Sequence, residues 1–141
     1  MFQLDPQLAQ DSLPVGRFPL SLLLLSKDSN YPWCILVPQR ENVFEIHHLS
    51  GEDQHQLMRE SSQLAETMTS LFDAYKMNVA ALGNQVRQLH VHYVARFQDD
   101  PAWPNPIWGA VAHKDYDPKY LEERLALLRN ALVGDTFEVP G

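Results

Sequence analysis

Two histidines and a glutamine alternate with apolar residues in the middle of this 141-residue chain. From Leu89 to Val94 the sequence alternates apolar and polar side chains and is rich in valine and aromatic residues, which is typical of a β-strand with one buried face. Side chains two residues apart on a strand share a face at a spacing of about 7 Å. Gln88, His90 and His92 therefore form a row, and its imidazoles are suited to act as nucleophile, acid or base near neutral pH.

A pair of histidines on one strand face also fits a zinc site, because imidazole is a common zinc ligand. A third ligand would have to come from His47, His48 or His113 through the tertiary fold. No cysteine or glutamate stands at ligand spacing from the pair, so we expect no metal. A zinc hydrolase is kept as a third hypothesis, which loss of activity with a chelator would support.

The elements before the histidine strand must bring it to the centre of a domain. Strands are predicted over about 17–25 and 32–37, joined by a polar turn, with a further short strand over 42–46. Ser50 followed by Asp53 marks a helix start, and apolar residues at helical spacing then predict a long amphipathic helix over about 52–75.

The elements after the long helix complete the fold. Residues 78–82 read as a strand, and three prolines within 99–108 predict an extended loop. Pro118 and regularly spaced leucines predict a C-terminal helix over about 117–133. We expect a single α+β domain over 1–141, with its core over about 17–108, a mainly antiparallel sheet, one long helix and the C-terminal helix.

Composition and charge exclude several classes of function. The chain has 18 acidic and 11 basic residues and a net charge of −7, which argues against binding a nucleic-acid backbone. No apolar run reaches the roughly 18 residues of a membrane span, and the first residues lack the features of a signal peptide. With Cys34 as its only cysteine, the chain is expected in the cytoplasm.

The histidine strand resembles the motif of the histidine-triad (HIT) family, in which three histidines alternate with apolar residues after a Gly-x-x-Val segment. Aligning Gly83 and Val86 with that segment places Gln88, His90 and His92 at the three triad positions, so that glutamine replaces the first histidine. A register shifted by two residues would instead make His90 the first position. We prefer the first register because it keeps the Gly-x-x-Val spacing.

Other segments resemble the family in the same order along the chain. The apolar run ending in Pro38 is similar to a family strand that ends in Val-x-Pro before a basic residue, although Gln39 stands in the basic position. Asn78 resembles the asparagine that contacts the nucleotide's ribose or phosphate. Gln85 matches a position often filled by a small hydroxyl or an amide near the leaving group.

The resemblance implies a two-step reaction and assigns a role to each residue. His90 would attack the α-phosphate to form a nucleotidyl-histidine, and His92 would hold or protonate the phosphate or leaving group. Gln88 can donate or accept a hydrogen bond but cannot carry a proton at neutral pH. If the first position mainly orients, activity survives, and if it serves as an acid, the rate falls or the preferred leaving group changes. Asn78 and Gln85 would bind the nucleotide. The HIT fold also implies a homodimer that pairs across the long helix and a sheet edge.

We therefore expect a nucleotide hydrolase or nucleotidyl transferase that needs neither metal nor cofactor. Its substrate would be a small nucleotide with a phosphoanhydride or phosphoramidate bond next to a nucleoside monophosphate. The alternative is a non-catalytic, dimeric nucleotide-binding module that lost its chemistry with the first histidine. The sequence leaves the nucleobase, the leaving group and the choice of His90 or His92 as nucleophile open.

Overall fold

A five-stranded sheet forms the centre of the protein in a computed structural model, which describes residues 1–140. Its order is β1-β2-β3-β5-β4, and every pair of neighbouring strands is antiparallel. The strands are β1 (Ser12–Arg17), β2 (Ser21–Ser26), β3 (Trp33–Pro38), β4 (Lys76–Ala80) and β5 (Val91–Arg96). The histidine strand β5 therefore lies inside the sheet, between β3 and β4.

The helices are α1 (Pro6–Asp11), α2 (Gly51–Phe72) and α3 (Pro118–Leu132), with a short 3-10 helix at Ile46–His48. Ser50 caps α2 by accepting a hydrogen bond from the Asp53 amide. Proline at the first turn of α3 needs no amide partner there. The expected α+β fold, with an antiparallel sheet, one long helix and a C-terminal helix, is confirmed. No helix within residues 1–140 combines the length and apolar character that crossing a membrane requires.

The main core fills the space between one face of the sheet and helices α2 and α3. Leu64 and Met68 from α2 and Leu128 from α3 are fully buried there. The apolar side chains of the histidine strand, Leu89, Val91, Tyr93 and Ala95, point into the same core. The sequence alternation therefore predicted the buried face of this strand correctly.

Two smaller apolar clusters cover the opposite face of the sheet. In the N-terminal cluster, Phe2, Leu4 and Leu8 pack against residues of β2 and β3, including Ile35. In the loop cluster, the proline-rich loop contributes Ala102 and Ile107, which pack against Tyr31 and Val94. His92 pairs across the strands with Ile35 and is followed on its own face by Val94. It therefore lies next to both clusters.

The structure differs from the predicted strands in the first third of the chain. The strand predicted over 17–25 corresponds to β2, which begins only at Ser21, because Phe18 donates an amide hydrogen bond to the Ser21 carbonyl and closes a turn at Pro19. Strand β1, which ends at Arg17, was not predicted. Strand β1 lies at the sheet edge, where a proline such as Pro14 is tolerated. The strand predicted over 42–46 is not formed. Asn42 instead has a left-handed backbone with φ of 57°, and the 3-10 helix follows.

Gly16 is required by a close approach of the C-terminal segment. A Cβ atom at this position would lie 2.3 Å from the Glu138 carbonyl oxygen and 2.5 Å from the Phe137 ring. We expect Gly16→Ala to lower the free energy of unfolding by about 1–3 kcal/mol, because the backbone must move to relieve the clash. Urea denaturation of the parent and the variant measures the change.

Gly51→Ala is the matched control, because a Cβ at Gly51 meets no atom within 4 Å. This control should be neutral or slightly stabilising. Equal stability of the Gly16 variant and the parent would show that the C-terminal segment does not pack as described.

Candidate active site

His90 and His92 come together as predicted. Their ring centroids are 4.9 Å apart, and each residue is 7% exposed. The antiparallel pairing of β5 with β3 and β4 fixes the position of His92, and His90 directly precedes β5. Two imidazoles this strongly buried need hydrogen-bond partners, and these partners define their protonation.

The main chain fixes the tautomer of His90. Its Nδ1 atom lies 2.7 Å from the carbonyl oxygen of Gln88. A carbonyl oxygen can only accept a hydrogen bond, so Nδ1 of the neutral ring carries the proton. The Nε2 atom then holds a free lone pair, which is the form that a nucleophile requires.

His92 is held in the opposite tautomer by a tryptophan. The indole Nε1–H of Trp33 donates to His92 Nδ1 at 3.0 Å. Because an indole nitrogen can only donate, Nδ1 must be unprotonated and the neutral ring carries its proton on Nε2. Burial, with a smaller contribution from neighbouring His90, lowers the pKa of His92 to about 4. His92 is therefore a neutral hydrogen-bond donor at pH 7.

Aromatic side chains surround the His92 ring. The centroid of Trp33 lies 5.6 Å from it and that of Trp108 lies 5.2 Å from it. The two indoles also meet edge to face at 6.2 Å. Trp108 comes from the proline-rich loop, whereas Trp103 of the same loop packs against Tyr75 at 5.5 Å. Trp103 thus anchors the loop, and Trp108 belongs to the surroundings of the site.

The side chain of Gln88 binds the N-terminal segment. Its Oε1 atom accepts the Asp5 amide at 2.9 Å, and its Nε2 atom donates to the Gln3 carbonyl at 2.8 Å. The main chain of Gln88 contacts His90, whereas its amide group fastens residues that cover the sheet. Gln88 therefore orients His90 through its backbone and stabilises the N-terminal segment through its side chain.

Asn78 lies on β4 and contacts a buried arginine. Its Oδ1 atom accepts a hydrogen bond from Arg96 at 2.7 Å. Arg96 also forms an ion pair with Asp100, and the two side chains are only 1% and 4% exposed. The pair ties β5 to the proline-rich loop that carries Trp108.

Asp100 is ionised and organises the start of that loop. Burial alone would raise its pKa, but the Arg96 guanidinium and the amides of Phe97 and Ala102 bind the carboxylate and lower its pKa to about 2. The Trp103 amide also donates to this carboxylate at 2.8 Å. A charged carboxylate therefore fixes the loop throughout the neutral range.

Two openings on the protein surface lie beside His90 and beside Trp33. A cleft of about 170 Å³ borders His90 and is lined by residues that include Gly83, Arg87 and Gln88. A wider pocket of about 360 Å³ borders Trp33 and is lined by residues that include Lys27, Asp28 and His113. Gln85 is exposed on the turn before the histidine strand. His90 therefore borders one opening on the protein surface, and Trp33 borders a second one.

The potential zinc ligands named in the sequence do not gather around the histidine pair in the part of the chain that the structure describes. Among residues 1–140, no three side chains of histidine, cysteine, aspartate or glutamate are grouped so that they can hold a metal ion. His47, His48 and His55 are exposed. His113 forms a surface contact with Asp115. The tertiary fold therefore does not supply the third ligand that a zinc site would need.

Similarity to known proteins agrees with this geometry. A protein-family model described as HIT domain matches residues 7–99. A histidine triad protein from Marinobacter aquaeolei VT8 is 45% identical, with a TM-score of 0.91 over 94% of this chain and 96% of that chain. Histidine triad proteins from Bradyrhizobium japonicum (39% identity, TM-score 0.92) and Sinorhizobium meliloti 1021 (38%, 0.91) each align over 94% of this chain and 98% of their own. A comparison with curated proteins finds no match.

The antiparallel sheet, the long helix and the strand that carries the histidines define an α+β protein of HIT type. The chain belongs to the histidine triad family, whose members are generally nucleotide-binding hydrolases and transferases.

The sequence did not reveal the role of Trp33. It lies 59 residues from His92 and meets it only through the register of β3 against β5. The same is true of Gln3 and Asp5, whose backbones meet Gln88 through the folding of the N-terminal segment. The Asp100–Arg96 pair had a weak signal, because acidic and basic residues four positions apart flank the end of the strand.

Lowering the pH should destabilise the fold, because His92 is held neutral in the folded state. The ring has a pKa of about 4 in the folded state and 6.5 when unperturbed, so between these values the unfolded chain binds more protons. Above about pH 6.5, His92 makes its full contribution to the free energy of unfolding. As the pH falls to 4, the free energy of unfolding decreases by about 3 kcal/mol through this residue. Urea denaturation at pH 7 and pH 4 should show a smaller loss for His92→Gln than for the parent.

His55→Gln is the control, because it removes an exposed histidine and should keep the pH dependence of the parent. The same loss of stability on acidification in the parent and in His92→Gln would show that His92 is not held neutral by the fold.

Proposed function

We propose that this protein is a nucleotide hydrolase or nucleotidyl transferase that acts through a nucleotidyl-His90 intermediate. Its substrate class is a phosphoanhydride or phosphoramidate next to a nucleoside monophosphate. The observation that carries the proposal is the opposite tautomers of the two histidines, because one ring offers a lone pair and its neighbour a hydrogen-bond donor. In this proposal the protein represents a HIT branch with Gln88 in the first triad position.

In the first step, Nε2 of His90 attacks the α-phosphorus while Nδ1–H stays bound to the Gln88 carbonyl. This contact stabilises the positive charge that develops on the ring when the phosphorus–nitrogen bond forms. The bond from phosphorus to the leaving group breaks. The Nε2–H group of His92 donates to a phosphoryl oxygen, where negative charge is highest in the transition state.

In the second step, water or another acceptor attacks the phosphorus and the electron pair of the phosphorus–nitrogen bond returns to His90 Nε2. No metal or cofactor takes part in either step. The cleft beside His90 is proposed to accommodate part of the nucleotide. Gln85, on the exposed turn, is proposed to contact the leaving group. Asn78 keeps Nδ2 as a donor to the ribose or phosphate, because Arg96 engages only its Oδ1.

The assay is release of AMP from diadenosine tetraphosphate and from adenosine phosphoramidate in the presence of a chelator. We expect metal-independent turnover by the parent and a loss of at least about 1,000-fold in His90→Ala, because the nucleophile is removed. His92→Ala should be slower than the parent but should still form the covalent intermediate, which mass spectrometry of the quenched protein detects. His55→Ala is the matched control for loss of an exposed histidine.

Full activity in His90→Ala would overturn the assignment of the nucleophile. Tight binding of AMP without turnover of either substrate would favour the non-catalytic binding module. Inhibition of the parent by the chelator would favour a zinc hydrolase.

We also propose that the protein forms a homodimer through strand β4. This strand is the last of the sheet, so its outer backbone groups have no neighbouring strand within the chain. Val79 on β4 is 52% exposed and Met58 on α2 is 67% exposed. An unpaired strand edge next to exposed apolar side chains favours pairing with a second copy across the edge and the long helix.

Val79→Asp should shift the protein from dimer to monomer, because two copies of the charge would face each other at a symmetric interface. Sedimentation velocity at several concentrations measures the change. Leu127→Asp is the control. It places the same charge on an exposed site of α3, a helix that packs near β1 at the other edge of the sheet. A monomeric parent would contradict the proposal.

A cytoplasmic location is proposed on the state of Cys34. The thiol is fully buried, and burial raises its pKa to about 12. A buried thiol of this kind behaves as a small apolar side chain and suits a reducing compartment.

A further inference from the structure

The hydrogen bond between Trp33 and His92 has a consequence for the leaving group that the site can release. We propose that Trp33 is a positioning residue that holds His92 as a neutral donor and thereby restricts the enzyme to phosphoanhydrides, whose leaving group departs without a proton. Phosphoramidates, whose leaving nitrogen requires one, are then poor substrates. This inference rests on the proposed function and narrows its substrate class.

The geometry leaves His92 little freedom. Trp33 belongs to β3 and is paired with Val94 of β5, so the register of the two strands sets the position of the indole. The other tautomer of His92 would direct its Nδ1–H at the indole N–H and leave two buried donors without acceptors. Leaving one buried polar group unsatisfied costs about 1–3 kcal/mol. The contact therefore selects the Nε2–H form.

The side chains packed around His92 offer no carboxylate as a counter-ion for a positive charge on its ring. The neighbours on its face are His90, the two indoles of Trp33 and Trp108, and Ile35 across the strands. Of these only the His90 ring can itself become positively charged, and its charge would repel one on His92. On the side of β4 the partner of His92 is Ala80. The ring therefore remains neutral, in agreement with its lowered pKa.

Nearby charged groups are engaged elsewhere. Arg96, further along the same face, is paired with Asp100. Asp11, Lys27, Asp28, His113 and Asp115 line the pocket that borders Trp33. Within residues 1–140, no carboxylate forms a hydrogen bond or an ion pair with His92. An imidazolium at this position would consequently have no counter-ion.

The proton balance then separates the two substrate classes. When His90 displaces a phosphate, the phosphorus–oxygen bond breaks and its electron pair stays on an oxygen that is stable as an anion at pH 7. When His90 displaces an amine, the phosphorus–nitrogen bond breaks and the nitrogen must receive a proton as it leaves. Neutral His92 is a very weak acid, and the Gln88 side-chain amide cannot act as a general acid at neutral pH. A missing general acid typically costs about 100- to 10,000-fold in rate.

Two measurements test the proposal, and the first does not depend on activity. Proton–nitrogen correlation spectra of the imidazoles should show His92 of the parent as the neutral Nε2–H tautomer from pH 5 to pH 8. Trp33→Phe removes the donor and keeps an aromatic ring, so it should yield a mixture of tautomers and a higher pKa for His92. Trp108→Phe is the matched control, because it alters the other indole beside His92 and should leave the tautomer unchanged.

The second measurement compares kcat/KM for diadenosine tetraphosphate and adenosine phosphoramidate. We expect the parent to prefer the tetraphosphate by at least about 100-fold. At pH 6, Trp33→Phe should narrow this preference by about tenfold, because a fraction of His92 is then protonated and able to act as an acid. If Trp33→Phe does not fold, the same comparison is made with His92→Gln. Because an amide is a neutral donor, His92→Gln should prefer the tetraphosphate to the same extent as the parent.

Equal or faster turnover of the phosphoramidate by the parent would overturn the restriction on substrates. An unchanged tautomer and pKa in Trp33→Phe would overturn the role of Trp33. Absence of turnover with either substrate would instead refute the proposed function and the substrate restriction with it, and the spectra would still decide whether Trp33 holds His92.

Discussion

The alternation of side chains along β5 is the constraint on which the rest of the structure depends. This strand lies inside the sheet and both of its faces are covered, so every residue from Leu89 to Arg96 is buried. One face needs apolar residues for the core beneath α2 and α3. The other carries two imidazoles and a guanidinium, and burial of such groups is tolerated only when hydrogen bonds or charges satisfy them. The partners of these side chains therefore dictate much of the architecture around the site.

The buried pair of Arg96 and Asp100 shows how one such requirement shapes a whole segment. Arg96 is satisfied by Asp100 and Asn78, and Asp100 in turn accepts amides at the start of the proline-rich loop. A loop with several prolines has few amides with which to bind itself, so an ionised carboxylate is an effective anchor for it. The loop then continues to Trp108, which contacts His92. A charge pair outside the reacting groups thus determines the surroundings of a histidine.

Local patterns predicted what depends on local geometry. A period of two was sufficient to place Leu89 and Tyr93 in the core and His90 and His92 together on the other face, because a strand has no other way to orient its side chains. The long helix was predicted for the same reason, from its own periodicity and its cap. The domain boundaries, the roles of Asn78 and Gln85 and the dimer depend on more than local pattern and remain predictions.

What the sequence could not show depends on contacts between distant segments. The bond from Trp33 to His92 requires a particular register of β3 against β5, and an isolated tryptophan in an apolar run gives no sign of it. Strand β1 was missed because Pro14 and the irregularity before Gly16 interrupt its pattern, and only its place at the sheet edge makes them acceptable. The strand predicted over 42–46 from alternating residues is not formed, because Asn42 has a left-handed backbone.

Gln88 contacts two different neighbours, one through its backbone and one through its side chain. Its carbonyl supplies the contact that orients His90, and any residue at this position could provide that contact. Its side chain has a donor and an acceptor side by side, and these match the Gln3 carbonyl and the Asp5 amide of the N-terminal segment. A neutral imidazole also has one donor and one acceptor, but they lie on opposite sides of the ring and cannot bind both backbone groups in this way. The Gln88 side chain thus holds the N-terminal segment against the sheet but cannot carry a proton. His90 and His92 are the two imidazoles of the row.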